Sequence, residues 1–287
     1  MDRPVIDAHH HVWDLSVRPQ PWIQGDELAP LARSFSLDDL APEARAAGVT
    51  ATVVVQTVCV PEETPELLAL AAHDDLVAGV VGWTDLTAPD ITDALAALRE
   101  GPGGDRLVSI RHQVQDEPDP HWLLRADVRR GLTAVARAGL AYDLVIKPHQ
   151  LPAATAVAAS LTGLTFVLDH LGKPPVATGA LRPWADDLRR FAALPNTVAK
   201  LSGLLTEASP GRGDVDSLRP YADTALDTFG PHRLLYGSDW PVSTLEADYA
   251  DVLHLTDHLT EALSPTEKDA VFHHNAARVY DLHRHSK

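Results

Sequence analysis

Short apolar segments alternate with longer helical segments along almost the whole chain of 287 residues. Each short segment is rich in β-branched residues, and each is followed by a stretch whose apolar residues recur every three or four positions. Regular alternation of this kind predicts βαβ units and a parallel sheet. The predicted strands are 4–11, 51–57, 78–86, 107–114, 141–148, 165–170, 197–203 and 233–240.

Eight such units in a chain of this length predict an α/β fold, a closed (β/α)8 TIM barrel. An open, doubly wound sheet is the alternative, but it usually shows a glycine-rich turn after its first strand. Here histidines follow the first strand instead. Because no low-complexity linker divides the sequence, we predict a single barrel domain over residues 1–287.

Two segments extend the basic barrel pattern. Residues 14–36 form a proline-rich loop after strand 1, on the face where barrels carry their active sites. A lid that contacts substrate and a passive surface insertion are equally compatible with this loop. Near the C-terminus, Ser264 and Pro265 occupy cap and first-turn positions, which predicts an extra C-terminal helix.

Charge and composition restrict the partners. Lys and Arg number 24 and Asp and Glu number 40, so the formal net charge of −16 argues against nucleic acid as a partner. The sequence lacks a run of about 18 apolar residues, so no membrane is expected to be a partner either. The lone cysteine, Cys59, and the absence of a secretory signal pattern suit a cytoplasmic protein. We expect a small-molecule substrate, and a homo-oligomer stays open.

The stretch VIDAHHHVWDL (5–15) places three consecutive histidines at the end of strand 1. Catalytic groups of this fold lie at the C-terminal ends of the strands. Side chains alternate between the two faces of a strand, so if Asp7 points into the barrel, His9 and His11 do the same and His10 points toward the helices. The triplet is therefore interpreted as an H-x-H pair.

The same alternation brings two further side chains inward. It places His170 at the end of strand 6, on the face of Phe166 and Leu168. It places Asp239 at the end of strand 8, on the face of Leu235. Imidazole nitrogens together with a carboxylate oxygen suit zinc or a similar divalent ion. The residues predicted to converge at the barrel mouth, as metal ligands and catalytic groups, are His9, His11, His170 and Asp239.

Stretches in order along nearly the whole chain resemble the amidohydrolase superfamily. Within it they resemble the amidohydrolase-2 group, which includes L-fuconolactonase-like sugar-lactone hydrolases. GSDWP and DHLGKP are fairly specific to the group, whereas H-x-H marks only the superfamily. The matching stretches are VIDAHHHVWDL, VAGVVGWTDL, IRHQVQDEPDPHWL, YDLVIKPHQL, FVLDHLGKPP, VAKLSGL, RLLYGSDWPV and NAARVY.

The resemblance implies one divalent metal, Zn²⁺ by preference, or a metal-free site, since related lactonases of both kinds are known. Binuclear members carry a bridging carboxylated lysine or glutamate and a further histidine on strands 4 and 5. This chain has Arg111 and His112 on strand 4, and Lys147 and His149 on strand 5. Neither pair matches that pattern, so two metals are not expected.

The implied activity is hydrolysis of a sugar-acid lactone or similar small lactone in carbohydrate catabolism. Asp239 would activate water, while the three histidines, with or without a metal, would polarise the carbonyl. A metal-dependent decarboxylase of an unsaturated or aromatic acid is the alternative, with His149 as a further ligand. Lys200 either pairs with Asp169 or Asp239 or contacts substrate. Side chains expected to bind substrate are His112, Lys147, Trp83, Gln113, Arg111 and Trp240.

Overall fold

The barrel is built from parallel strands that pair in sequence order. The computed structural model describes residues 3–282, and within them eight strands form one sheet ordered from β1 to β8. The (β/α)8 prediction is confirmed. The strands are β1 Val5–His10, β2 Val49–Val55, β3 Val77–Gly82, β4 Leu107–His112, β5 Ala141–Leu144, β6 Phe166–Leu168, β7 Thr197–Leu201 and β8 Leu234–Tyr236.

Backbone hydrogen bonds join the first strand to the segment that follows the last. The amide of His11 donates to the carbonyl of Trp240 over 2.7 Å, and the amide of Asp239 donates to the carbonyl of His9 over 2.8 Å. Both bonds involve residues that the sequence places at the functional end of the barrel. Closure of the barrel therefore sets the distance between the strand 1 histidines and the strand 8 carboxylate.

Helices cover the outside of the barrel. Their apolar stripes face the strands, as in α6, where Trp184, Leu188 and Phe191 are buried. Among residues 3–282, no helix combines the length and the apolar character needed to cross a membrane. The helices are α1 Leu37–Ala46, α2 Glu63–His73, α3 Ile91–Glu100, α4 Ala126–Arg137, α5 Leu151–Ser160, α6 Trp184–Ala192, α7 Val215–Phe229, α8 Tyr249–Leu259, α9 Pro265–Asp269 and α10 Asn275–Val279.

Two apolar layers follow from strands that are buried on both faces. The inner layer fills the barrel with side chains such as Val53, Val167 and Leu235. The outer layer lies between the strands and the helices and includes Val54 and Phe166. Because valine, leucine and alanine occupy both faces, apolar alternation alone does not reveal which strand face points inward.

The C-terminal segment closes the bottom of the barrel. Ser264 caps α9 by accepting a hydrogen bond from the amide of Glu267, as the cap position predicted. The predicted terminal helix is interrupted by a π-helical turn at Ala270–His274 before α10. Residues after the turn, including Tyr280 and Leu282, join the inner apolar layer. The functional cavity is thus accessible from the opposite end.

The loop 14–36 is anchored at both of its ends. Trp13 and Phe35 exchange backbone hydrogen bonds of 2.9 and 2.8 Å, and their rings pack edge to face. Trp22, at the middle of the loop, packs edge to face on Trp13 with ring centroids 5.5 Å apart. The loop is therefore a packed element with a defined position over the barrel mouth.

Candidate active site

Four buried side chains converge at the C-terminal end of the barrel. The Nε2 atom of His9 lies 3.2 Å from Nε2 of His11 and 3.6 Å from Oδ1 of Asp239. The same carboxylate oxygen lies 3.7 Å from Nε2 of His11 and 3.8 Å from Nε2 of His170. Elements β1, β6 and β8 thus bring together residues that are separated by up to 230 positions in the chain.

The side chain of Asp7 faces the helices and not the barrel interior. Its Oδ2 atom accepts a 2.9 Å hydrogen bond from the hydroxyl of Tyr249, which lies on α8. Its neighbours Ile6 and Ala8 belong to the inner apolar layer. The expectation that Asp7 points inward is wrong, because the apolar residues of β1 occupy the interior positions.

A bulge in β1 nevertheless turns the His9 side chain toward the barrel interior. Asp7 and His10 both pair with residues of β2. Two residues of β1 separate Asp7 from His10, whereas only one residue separates their partners in β2. His10 therefore faces outward, with its Nε2 2.9 Å from Oγ1 of Thr52. His9 and His11 share the interior because of this bulge, and not because of strict alternation along the strand.

Left-handed backbone places the other two side chains. His170 has φ 52° and lies two residues beyond the end of β6, and Asp239 has φ 58° and lies three residues beyond the end of β8. Phe166 and Leu168 of β6 belong to the outer layer, so the prediction that they share a face with His170 is wrong. The turn after Leu168 rotates the His170 ring into the barrel. A left-handed backbone conformation is uncommon for residues other than glycine and is enriched at functional sites.

Two glycines make room for the imidazole rings. A Cβ atom at Gly203 would lie 2.4 Å from Nδ1 of His170, and one at Gly237 would lie 2.7 Å from Cβ of His9. Neither distance is compatible with a side chain unless the histidine moves. Close approach of these backbones therefore fixes where the His170 and His9 rings lie.

The second nitrogen of each ring has a partner that orients it. His11 Nδ1 donates to the carbonyl of Val55 over 2.7 Å, which points its Nε2 into the site. His170 Nδ1 lies 2.9 Å from the hydroxyl of Ser202. Each of these bonds aims an Nε2 atom at Asp239, which is how histidine ligands of metals are usually held.

A buried network of charges supports His9 from below. Lys200 is fully buried, and its Nζ lies 2.6 Å from Oδ2 of Asp143, 3.0 Å from Oδ1 of Asp169 and 3.1 Å from Nδ1 of His9. Of the roles left open for Lys200, the structure places it in an ion pair with Asp169. Asp143 was not predicted, although an acid within the apolar run AYDLV was a usable signal. The network reaches the C-terminal segment, because the hydroxyl of Tyr280 donates to Asp143 over 2.7 Å.

Burial determines the charge of the central groups. It lowers the pKa of His170 to about 4 and holds the pKa of His9 well below the ordinary imidazole value. Burial alone would raise the pKa of Asp239, but His170, His11 and His9 outweigh it and hold that pKa below its usual range. Near neutral pH the site thus contains neutral His9 and His170 and an ionised carboxylate.

This donor set fits a divalent metal. Ligand atoms of His9, His170 and Asp239 lie within 4.8 Å of one another. Ligands about 2.0–2.1 Å from a tetrahedral zinc are themselves about 3.3 Å apart. The Oδ1 atom of Asp239 lies 3.6 Å from Nε2 of His9 and 3.8 Å from Nε2 of His170, and the His11 ring lies beside this group, with its Nε2 3.2 Å from that of His9. The protonation states are also those that metal binding requires.

A cavity of about 130 Å³ opens above these residues. The sequence analysis did not single out Trp22, Lys173 or Glu207, which line it together with the central residues. Lys173 lies in the motif DHLGKP, which offered a signal, whereas Trp22 lies in a loop without periodicity. The lining residues are His11, Trp22, Thr57, Arg111, Gln113, Gln115, Val145, His170, Lys173, Thr206, Glu207, Asp239 and Val242.

Other predicted substrate contacts lie outside this lining. Trp83 Nε1 donates to Nδ1 of His112 over 3.0 Å, and the His112 ring stacks on Trp122 at 4.3 Å. Trp240 is buried against Phe35. Lys147 is exposed in the turn before α5. Arg111 and Gln113 do line the cavity, so the structure divides the predicted set, and the substrate roles of all six stay predictions.

A (β/α)8 barrel that gathers three imidazoles and one carboxylate at its functional end has the architecture of a hydrolase whose site could hold a divalent metal. The Amidohydrolase family model (Amidohydro_2) matches residues 6–282, and the chain belongs to this family. The family predicted from the sequence motifs is thereby confirmed.

Relatives in the genus Burkholderia match nearly the full chain. An L-fucono-1,5-lactonase from Burkholderia multivorans is 40% identical, with 96% of each chain covered. Another from Burkholderia ambifaria is 37% identical and covers 98% of this chain and 97% of its own. A crystal structure of a Burkholderia multivorans amidohydrolase with bound zinc is 39% identical, with a TM-score of 0.91 and coverage of 96% and 99%. This chain is therefore similar in sequence to both named lactonases, and in sequence and fold to the zinc-containing structure.

Proposed function

We propose that this protein is a hydrolase that opens the ring of a sugar-acid lactone. The observation that carries the proposal is the convergence of Asp239 with His9, His11 and His170 at 3.6–3.8 Å beneath an open cavity. The names of the two Burkholderia relatives support a sugar 1,5-lactone as the substrate. A place in carbohydrate catabolism and a cytoplasmic location are parts of the same proposal.

Asp239 is the group we assign to proton transfer. Ring opening needs a water that loses a proton as it attacks the carbonyl carbon, and a leaving alkoxide that gains one. An ionised carboxylate at the cavity floor can accept the first proton and return it to the ring oxygen. Its left-handed backbone and its amide bond to the His9 carbonyl hold Asp239 in position for both steps.

The three histidines and Arg111 act on the carbonyl oxygen. His9, His11 and His170 would hold a zinc ion, which when bound polarises a carbonyl and lowers the pKa of water. Arg111 adds a positive charge. Its guanidinium is held in place because Nη1 lies 3.5 Å from Nε2 of His9 and 2.9 Å from Oδ2 of Asp169. That guanidinium lines the cavity and is oriented before substrate arrives, as stabilisation of an oxyanion requires.

The decarboxylase alternative predicts a strand 5 histidine among the ligands. His149 is exposed in the turn Pro148–Gln150 and does not line the cavity. The position of His149 outside the cavity thus favours the hydrolase over the decarboxylase.

Kinetics of Asp239→Asn test the proposal. With L-fucono-1,5-lactone as substrate, kcat should fall at least about 100-fold because the proton acceptor is lost. Asp257→Asn, which changes an acid of the outer helix α8, is the matched control and should retain wild-type kcat. Full activity of Asp239→Asn would remove this residue as the base. Release of carbon dioxide from an acid substrate without any lactone opening would favour the decarboxylase.

A further inference from the structure

Lys173 and Glu207 form an ion pair on the wall of the cavity. The Lys173 Nζ lies 3.5 Å from Oε1 of Glu207, and each side chain is about three-quarters buried, with 26% and 24% of its area exposed. Both residues line the same cavity as Asp239. They take no part in the proton transfer assigned to Asp239, so they are free to act on another part of the substrate.

The turns that carry this pair are the ones that orient His170. The amide of Lys173 donates to the carbonyl of His170 over 2.8 Å, on a left-handed backbone with φ 55°. Glu207 follows β7 in the segment whose Ser202 and Gly203 contact the His170 ring. The pair is therefore held at a defined position relative to the reacting groups.

Glu207 has hydrogen-bonding capacity to spare. A carboxylate has sites for about four hydrogen bonds, yet across residues 3–282 its only ion-pair partner within 4 Å is Lys173, at a long 3.5 Å. Burial raises the pKa of Glu207, and Lys173 opposes that shift. A largely buried carboxylate that faces a cavity and has unused acceptor sites favours a ligand that donates hydrogen bonds.

Charge pairing in the cavity disfavours an anionic ligand. Arg111 lies 2.9 Å from Asp169, and Lys173 pairs with Glu207, so both cationic side chains that line the cavity already have carboxylate partners. Asp239 adds a negative charge at the floor. A neutral ligand avoids the cost of placing another anion among these groups.

We propose that Lys173 and Glu207 determine specificity by binding a ring hydroxyl of an uncharged, polyhydroxylated lactone. A hydroxyl both donates and accepts, so it can donate to the Glu207 carboxylate while accepting from the Lys173 ammonium. An unsubstituted lactone ring leaves both charges without this partner. The inference rests on the proposed lactone hydrolysis and adds the groups that select the substrate.

The experiment compares two lactones across matched variants of the full-length protein. L-fucono-1,5-lactone carries ring hydroxyls, and δ-valerolactone has the same ring without them. For Glu207→Gln and Lys173→Met, the ratio of kcat/KM for the first lactone to that for the second should fall about 10–100-fold. Lys268→Met removes a comparable ion pair with Asp257 on the outer helices and should keep the wild-type ratio. The double variant should lose less than the product of the single losses, because both residues bind one hydroxyl.

The outcomes separate this inference from the proposed function. If wild type opens both lactones but the ratio is unchanged in both single variants, the inference is overturned and the hydrolase stands. An equal loss on the two lactones also overturns it, because it places the pair in chemistry or folding instead of selection. If wild type opens neither lactone above the uncatalysed rate, the proposed function fails and the inference fails with it.

Discussion

The ammonium of Lys200 lies 3.1 Å from Nδ1 of His9 in a part of the barrel that solvent does not reach. The same ammonium contacts the carboxylates of Asp143 and Asp169 at 2.6 and 3.0 Å. One lysine therefore pairs with two buried acids, of which Asp169 also pairs with Arg111, and supports an active-site histidine. Removing it would leave both acids without their shared counter-ion, so the network is a sensitive point for both stability and activity.

Replacement of Lys200 by methionine should lower the free energy of unfolding by about 3–5 kcal/mol, because it breaks a buried ion pair from one side. Urea denaturation of the purified variant measures this. Lys268→Met, which breaks a more exposed pair with Asp257, should cost about 1 kcal/mol or less. Similar losses in the two variants would contradict the assignment of Lys200 as the centre of a buried network.

Replacement of Gly203 by alanine should displace the His170 ring, since the new Cβ would lie 2.4 Å from its Nδ1. We expect zinc affinity and kcat/KM to fall about 10–100-fold, as for other changes to the support of a metal ligand. Gly211→Ala is the matched control, because Gly211 has a similar φ of 67° but open space around it. Equal effects of the two substitutions would show that backbone conformation, and not contact with His170, is responsible.

Zinc should stabilise the folded protein. At free zinc 100-fold above its dissociation constant, binding to the native state alone adds about 2.7 kcal/mol. Tm of chelator-treated protein should therefore rise when zinc is added, as measured by thermal unfolding. Asp239→Asn removes the carboxylate donor and should show a smaller rise. A zinc response that is absent from wild type, or identical in the variant, would argue against this ligand set.

Stability should fall on acidification in part through His112. Burial lowers the pKa of its imidazole, and the nearby Glu117 carboxylate only partly opposes this shift. Below about pH 6.5 the unfolded chain gains a proton at His112 that the folded chain gains only at lower pH, so unfolding becomes more favourable as pH falls. Between pH 7.5 and 5, His112→Gln should lose less unfolding free energy than wild type. The exposed His254→Gln should follow wild type, and identical curves for all three proteins would refute the assignment.

The eight strands and the family were accessible from local patterns. Strand–helix alternation follows from side-chain periodicity within short segments, and it correctly predicted a (β/α)8 barrel. Motifs such as GSDWP identified Asp239 and its neighbours as candidate site residues from the sequence alone. The cap at Ser264 was likewise readable, because an N-cap depends on residues only a few positions apart.

Orientation of the strand-end side chains depended on contacts between distant segments. The bulge in β1 exists only in its pairing with β2, and the left-handed turn at His170 is packed against Gly203, 33 positions later. Strict alternation therefore failed at Asp7 and in β6, even though His9 and His170 still face the barrel interior. The partners of Lys200 and the cavity positions of Trp22 and Glu207 likewise depend on contacts between distant segments. Periodicity is encoded over a few residues, whereas ion pairs and cavity walls form only when chain closure brings remote side chains within a few ångströms.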